Sequence, residues 1–147
     1  RSDCFNKGIA SAFWPGRLEV VRTQPFIILD GAHNRDSAIR LVHFLEKEFR
    51  NFKIRVVFGA SEDKDIKGII DQLDPVADRI ILTRADNPRA ADPATSLAPF
   101  FRKNIPAVTG SVEEALNLLN KELGPDDVAV VTGSLFVVGE ARALCAR

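Results

Sequence analysis

The chain has 147 residues, which is long enough for one domain with a single hydrophobic core and too short for two full-sized domains. Its 20 basic and 20 acidic residues leave no net charge. No overall field therefore draws in nucleic acid or an anionic membrane, and we expect neither as a partner. No apolar run approaches the roughly 20 residues that cross a bilayer, so a cytoplasmic protein is expected.

The two cysteines, Cys4 and Cys145, lie near opposite ends of the sequence and lack the spacing of metal ligands. The sequence therefore indicates neither a zinc site nor a disulfide framework. The first residue is Arg1, and there is no methionine anywhere. This favours a domain cut from a longer protein, with residues 1–13 as the remnant of a linker and residues 14–147 as the domain.

The first predicted elements are two strands and a helix. Phe26–Asp30 is a nearly continuous apolar run, typical of a strand buried on both faces of a parallel sheet. Residues 18–23 form a second run, separated from it by little more than Gln24-Pro25, so we expect that strand to run antiparallel at an edge. Apolar residues at three- and four-residue steps then predict a helix: Ala38, Leu41, Val42, Leu45 and Phe49.

The middle of the chain continues the alternation. Residues 54–60 and 79–83 are predicted to be buried strands, and residues 65–73 between them form a weaker helix pattern. The proline-rich segment 87–99 indicates a surface loop. It leads into a second weak helix pattern at residues 96–102.

The last third adds one more helix, strand and helix. The helix has apolar residues at regular steps, from Val112 to Leu123, the strand covers residues 128–132, and the final helix covers 135–146. Strand and helix thus alternate along the chain. This predicts a Rossmann-like open α/β sheet, mostly parallel with one antiparallel edge strand, and with helices on both faces.

Polar segments follow four of the predicted strands, at residues 30–34, 59–65, 83–87 and 132–134. Open α/β sheets bind ligands where the carboxyl ends of their strands meet. In the first segment, Asp30 could accept hydrogen bonds from ribose hydroxyls and His33 could contact a phosphate or a base. Alternatively, Asp30 closes a turn and Asn34 caps the next helix. The sequence has no glycine-rich dinucleotide fingerprint and no GxxxxGK[ST] phosphate loop.

Four motifs, in this order, resemble folylpolyglutamate synthase and its bacterial dihydrofolate synthase form, in the Mur ligase superfamily. They are Gly16-Arg17-Leu18-Glu19, Leu29-Asp30-Gly31-Ala32-His33-Asn34, Val57-Phe58-Gly59 with Asp63-Lys64-Asp65, and the run from Thr132-Gly133-Ser134 to Glu140. The resemblance covers residues 14–142. Arg35 departs from the family, which usually has proline there, and this affects only the entry to a helix.

The resemblance implies the C-terminal lid and glutamate-binding domain of an ATP-dependent acid–amino-acid ligase, and this domain is expected to be inactive alone. Its partner would be the protein's own N-terminal domain, which carries the phosphate loop and most of the Mg²⁺ site. ATP would phosphorylate a folate carboxylate, and the amine of L-glutamate would then attack the acyl phosphate.

Site residues are implied only at positions that match the family motifs. Arg17 would contact ATP phosphates and His33 would lie near the nucleotide, both as catalytic candidates, while Asp30 would hold the ribose. Asn34, Lys64 and Ser134 would place the incoming glutamate. No residue of the chain is assigned to a metal.

Each assignment has an alternative in local chemistry. Arg17 could pair with Glu19 at the surface, Lys64 could belong to a solvated charge cluster, and Ser134 could serve only as a helix cap. Two other functions also remain open. The parent protein could be a Mur-type ligase that acts on a peptidoglycan precursor, or the chain could be a non-catalytic module that binds a small anion or a protein.

Overall fold

The structure, a computed structural model, describes residues 17–146. The predicted linker at residues 1–13, the start of the predicted domain and Cys4 lie outside the described residues. Within 17–146, the six strands are β1 (Glu19–Thr23), β2 (Phe26–Asp30), β3 (Lys53–Phe58), β4 (Arg79–Leu82), β5 (Ala107–Val108) and β6 (Asp127–Thr132). The α-helices of this part are α1 (Arg35–Glu48), α2 (Ile66–Leu73), α3 (Val112–Glu122) and α4 (Leu135–Cys145).

The six strands form one sheet in the order β1-β2-β6-β3-β4-β5. β1 runs antiparallel to β2 at the edge, as the short connection between them predicted. β2, β6, β3, β4 and β5 are parallel to one another. The predicted sheet, mostly parallel with one antiparallel edge strand, is confirmed.

Helices cover both faces of the sheet, as predicted. Alternate strand residues such as Ile28, Val56 and Val130 pack with α1 and α2 on one face. Their neighbours, among them Leu29 and Val131, pack with α3 and α4 on the other face. Because successive side chains of a strand point to opposite faces, this two-sided burial explains the continuous apolar runs in the sequence.

The segment between β4 and β5 differs most from its prediction. The α-helix expected at residues 96–102 is wrong: a π-helical turn, Pro93–Leu97, is followed by a 3₁₀ turn, Ala98–Phe100. Asp92 starts the first turn because its carboxylate accepts the Ala94 and Thr95 N–H groups. Pro99 lacks an N–H group and therefore cannot continue an α-helical ladder.

The expected surface loop at residues 87–99 is wrong in part. Ala91 and Leu97 are buried in the core. The loop also pairs with the segment after β3, through bonds from the Ala91 N–H to the Ala60 carbonyl and from the Glu62 N–H to the Arg89 carbonyl. Backbone hydrogen bonds thus hold together the two loops that follow β3 and β4.

A carboxylate and an ion network stabilise the part of the fold away from these two loops. The buried Asp74, at the end of α2, accepts hydrogen bonds from the backbone N–H groups of Arg102, Lys103 and Asn104 and from the Asn104 side chain. At the amino ends of the strands, Arg79 donates two hydrogen bonds to Glu122.

Arg55 extends the network at the same end of the sheet. Its Nε donates to Asp127 Oδ2 over 2.7 Å, and one of its Nη atoms lies 3.4 Å from Glu122 Oε1. The network therefore joins β3, β4 and β6 to the end of α3.

None of the helices in residues 17–146 is long and apolar enough to span a bilayer.

Candidate functional site

Four polar segments meet at one rim of the sheet. β2, β6, β3 and β4 are adjacent and parallel, with Asp30 opposite Thr132 and Thr132 opposite Phe58 in register. Their carboxyl ends therefore lie side by side, and so do the segments that follow them. This is the arrangement in which open α/β sheets bind ligands.

A cavity of about 940 Å³ opens at this rim. Three of the predicted site residues, Arg17, Asp30 and His33, line this cavity together. Arg40 and Leu135 also line it. Asn34, Lys64 and Ser134 are not among its lining residues. The structure thus brings together the residues expected at the nucleotide and leaves those expected at the glutamate on the surrounding loops.

Asp30 is held by the backbone on both sides. Its Oδ1 accepts the Leu18 N–H over 3.0 Å, and its Oδ2 accepts the Ala32 N–H over 3.2 Å. Burial raises the pKa of Asp30, although these two hydrogen bonds and the positive charges of Arg17 and Arg40 act in the opposite direction. The turn-closing role expected for Asp30 is therefore present, and each oxygen keeps a lone pair for a further donor.

His33 and Asn34 are ordered by the start of α1. Asn34 is the N-cap and forms a capping box with Ser37, whose N–H donates to Asn34 Oδ1 over 2.8 Å. His33 Nδ1 lies 2.9 Å from the Gly31 carbonyl. A carbonyl only accepts, so Nδ1 carries the proton and Nε2 of the neutral ring remains an acceptor. The cap expected of Asn34 is confirmed, and the Asn34 amide nitrogen lies outside it.

Arg17 and Glu19 do not form the surface pair considered above. Glu19 is buried, and Arg142 of α4 donates to both of its carboxylate oxygens, over 2.8 and 3.1 Å. Arg17 is exposed and makes no ion pair with any residue from 17 to 146. Its guanidinium is thus available to a ligand at the cavity.

Lys64 lies in the turn between β3 and α2. It is exposed, and its N–H donates to the Ser61 carbonyl over 3.2 Å. The neighbouring Asp65 caps α2 by accepting the Gly68 N–H. The ammonium of Lys64 makes no ion pair within the described part of the chain, so it belongs to the solvated edge of the rim.

Ser134 is the N-cap of α4, and its Oγ accepts the Phe136 N–H over 3.0 Å. The Ser134 side chain is buried, so the helix-cap alternative is present in the structure. The preceding Gly133 has a φ of 110° and packs against the Gly59 carbonyl, where a Cβ would come within 2.2 Å of the oxygen. The two glycines allow the segments after β3 and β6 to approach closely.

The loop after β4, which had no assigned role, is tied to α4. The Asp86 N–H donates to Glu140 Oε2 over 2.8 Å. Glu140 is the last residue of the motif that begins at Thr132, so one motif both caps α4 and holds the neighbouring loop. Arg84 and Arg89 of this loop do not line the cavity.

Sequence reasoning missed Arg40 and Leu135. Arg40 follows Ser37 by three residues, and this spacing places both on one side of α1, while His33 lies just before the N-cap of that helix. Following the predicted helix from Ser37 along the same side would have found it. Leu135, which immediately follows Ser134, is 63% exposed and forms an apolar part of the rim.

The family model described as "Mur ligase, glutamate ligase domain" matches residues 16–135. A dihydrofolate synthase/folylpolyglutamate synthase of Mycobacterium tuberculosis is 33% identical over 162 residues, covering 99% of this chain and 33% of the relative. A UDP-N-acetylmuramyl-tripeptide synthetase of Lactobacillus acidophilus is 33% identical over 138 residues, covering 86% of this chain and 26% of the relative.

Among solved structures, a bifunctional folylpolyglutamate synthase/dihydrofolate synthase with Mn, AMPPNP and L-glutamate bound superposes with a TM-score of 0.80. It is 34% identical, and the match covers 97% of this chain and 35% of that one. A bifunctional folylpolyglutamate synthase/dihydrofolate synthase from Yersinia pestis, complexed with AMPPNP and Mn ion, gives a TM-score of 0.84 at 33% identity, over 99% of this chain and 35% of that one. The chain spans about a third or less of the curated relatives it matches.

Proposed function

The chain belongs to the glutamate ligase domain family of the Mur ligases, and we propose that it is the C-terminal lid and glutamate-binding domain of an ATP-dependent folylpolyglutamate/dihydrofolate synthase. In this proposal, residues 1–13 connect it to the preceding domain. The full-length protein adds L-glutamate to a folate carboxylate through an acyl phosphate. The observation that carries the proposal is the shared cavity of Arg17, Asp30 and His33 at the strand ends.

The cavity suits one side of a nucleotide. The remaining lone pairs of the Asp30 carboxylate match the hydroxyl donors of a ribose, and the Asp30 hydrogen bonds to Leu18 and Ala32 fix its orientation. The exposed guanidinium of Arg17 matches a phosphate, where it would stabilise negative charge that develops during transfer. The N-terminal portion of the protein would supply the phosphate loop and hold the divalent metal, Mg²⁺ in this proposal.

His33 has the polarity of an acceptor in this site. With Nδ1 donating to the Gly31 carbonyl, the neutral ring offers Nε2 to a donor on the ligand. The hydroxyl and amino groups of a nucleoside are such donors. His33 therefore complements Arg17, which only donates.

The glutamate would lie beside the cavity. Glutamate brings two carboxylates, which need cationic and N–H donors. Lys64 provides an ammonium that makes no ion pair within residues 17–146, α4 presents its N-terminus after Ser134, and the Asn34 amide lies outside the capping box. Since the three residues lie on loops that follow three adjacent strands, one small molecule at the rim would be within reach of these loops.

The test compares the chain alone with the full-length protein. ATP-dependent incorporation of labelled glutamate into a folate acceptor is measured for both. We expect no turnover by the chain alone and turnover by the full-length protein, because the phosphate loop of this proposal lies outside the chain. Turnover by the chain alone would contradict the division between domains, and failure of the full-length protein on every folate acceptor would reject the folate assignment.

A second candidate keeps the ligase chemistry and changes the acceptor. The similarity to a UDP-N-acetylmuramyl-tripeptide synthetase, at the same 33% identity as one folate relative, favours it. Assays with a UDP-N-acetylmuramyl peptide acceptor and with folates separate the two. Calorimetry on the chain alone covers the non-catalytic alternative, for which tight binding of an unrelated anion or protein is the expected result.

A further inference from the structure

We propose that Arg40 is a second guanidinium of the nucleotide site and binds the polyphosphate together with Arg17. The inference rests on the proposed function and deepens it, because none of the motifs that support that function includes Arg40. It concerns the anionic part of the nucleotide rather than its base or ribose.

The geometry places Arg40 at the same cavity as Arg17 and Asp30. Arg40 lies on α1, three residues after Ser37, which also lines the cavity. Residues at this spacing share one face of a helix. Arg40 is exposed and forms no ion pair with any residue of the described range 17–146, so its guanidinium is free to take an external anion.

The charges around the cavity favour an anion. Arg17 and Arg40 line the same cavity as Asp30, and the positive charges of both arginines act to lower the pKa of this carboxyl group. One positive charge is left over when the three are summed and His33 is neutral. A ribose and a base carry no charge that could use it, whereas a polyphosphate does. The planar fork of a guanidinium also matches two phosphate oxygens at once.

The test uses the full-length protein and two ligands that differ only in phosphate. Affinities for ADP and for adenosine are measured by calorimetry for the wild type and for Arg40→Gln. We expect Arg40→Gln to weaken ADP about tenfold, as the loss of a charge-assisted contact does, and to leave adenosine unchanged. The affinity of the variant for ADP should also depend less on salt concentration.

Arg35→Gln is the matched control. Arg35 is an exposed arginine at the start of the same helix, but it does not line the cavity. Its ADP affinity should equal that of the wild type. If Arg40→Gln lowers the melting temperature by several degrees, Arg40→Lys replaces it, since lysine keeps the charge but not the fork; it should weaken ADP about threefold.

Two results would overturn the inference. One is an unchanged ADP affinity in the Arg40 variant. The other is an equal loss of affinity for ADP and for adenosine, which would indicate that Arg40 contacts the base or the ribose. Failure of the wild type to bind ADP is a different outcome, because it would reject the proposed function itself.

Discussion

The Asp30 carboxylate accepts the Leu18 N–H over 3.0 Å and so joins the start of the edge strand to the mouth of the cavity. Leu18 has a φ of 47°, in the left-handed region that residues other than glycine rarely occupy. The bond helps to hold this conformation next to Arg17. One side chain therefore fixes the backbone beside the guanidinium and faces the ligand that we propose.

Substitutions of Asp30 should separate its two roles. Asp30→Ala removes both acceptors, and we expect it to lower the free energy of unfolding by about 2 kcal/mol. Asp30→Asn keeps one carbonyl oxygen, so the loss should be about 1 kcal/mol, while the KM for ATP still rises because the charge is gone. Urea unfolding and ATP kinetics on the full-length protein measure the two effects. An Asn variant with a wild-type KM would remove Asp30 from the nucleotide site.

Asp74 should be a stability residue with no effect on ligand binding. It is buried at the end of α2 and holds the segment 102–104 through four hydrogen bonds. Asp74→Ala leaves these donors unsatisfied, and we expect a loss of about 2–4 kcal/mol in unfolding free energy. Asp71→Ala in the same helix is the control, since its exposed pair with Lys67 contributes at most about 0.5 kcal/mol. Equal losses in the two variants would contradict this assignment.

Acid should weaken the same contact. Burial opposes ionisation of Asp74, but the hydrogen bonds from Lys103, Asn104 and Arg102 outweigh it and lower the pKa of Asp74 below its ordinary value of 3.8. The folded state therefore binds this proton less readily than the unfolded chain. The contribution of Asp74 is fully present above about pH 4 and is lost as the pH falls through the lowered pKa. Unfolding curves between pH 5 and pH 2 should show a shallower acid dependence for Asp74→Asn; an unchanged dependence would refute the linkage.

Two glycines of one motif should respond in opposite directions to alanine. At Gly133, a Cβ would lie 2.2 Å from the Gly59 carbonyl oxygen and φ is 110°, so Gly133→Ala should cost about 3 kcal/mol or more. At Gly139, inside α4, a Cβ would meet nothing within 4 Å, and Gly139→Ala should stabilise by about 0.5–1 kcal/mol. Melting temperatures decide the matter. Similar shifts in both variants would show that the close approach of the two loops is not rigid.

The ring of His33 should populate a single neutral tautomer. Its Nδ1 donates to the Gly31 carbonyl, so nitrogen-15 NMR at a pH where the ring is neutral should show a protonated Nδ1 and an unprotonated Nε2. The chain has two histidines, and a His43→Gln variant assigns the signals. His43 is exposed on α1, and no group of residues 17–146 holds its ring by a comparable bond, so it should show a mixture of tautomers. A protonated Nε2 at His33 would contradict its acceptor role.

Sequence periodicity was sufficient for the sheet because most of its strands are buried on both faces and their apolar runs are unambiguous. β5 was not predicted because its two residues, Ala107 and Val108, are too few to show an alternating apolar pattern. Their pairing with β4 depends on the rest of the fold. The weak helix at residues 96–102 failed for a local reason. Its pattern ignored Pro99, while Asp92 started a turn earlier in the chain.

The site was predictable where a motif follows a strand and less so elsewhere. Asp30 is the last residue of β2 and His33 and Asn34 lie in the segment after it, so strand direction alone brings them to the rim. Arg40 lies in a helix whose other face is buried, and an exposed arginine there has many ordinary explanations. The sequence left open whether Asp30 and Asn34 bind a ligand or accept hydrogen bonds from nearby backbone N–H groups. The structure is needed to identify the N–H groups that donate to them.

The ion network of Arg55, Arg79, Glu122 and Asp127 lies at the end of the sheet opposite the rim. Charges that stabilise the fold are thereby kept apart from the exposed charges of the rim. Substitutions can accumulate in the loops after the strands without weakening the ion network at the opposite end of the sheet. A division of this kind allows one framework to be inherited by enzymes with different substrates.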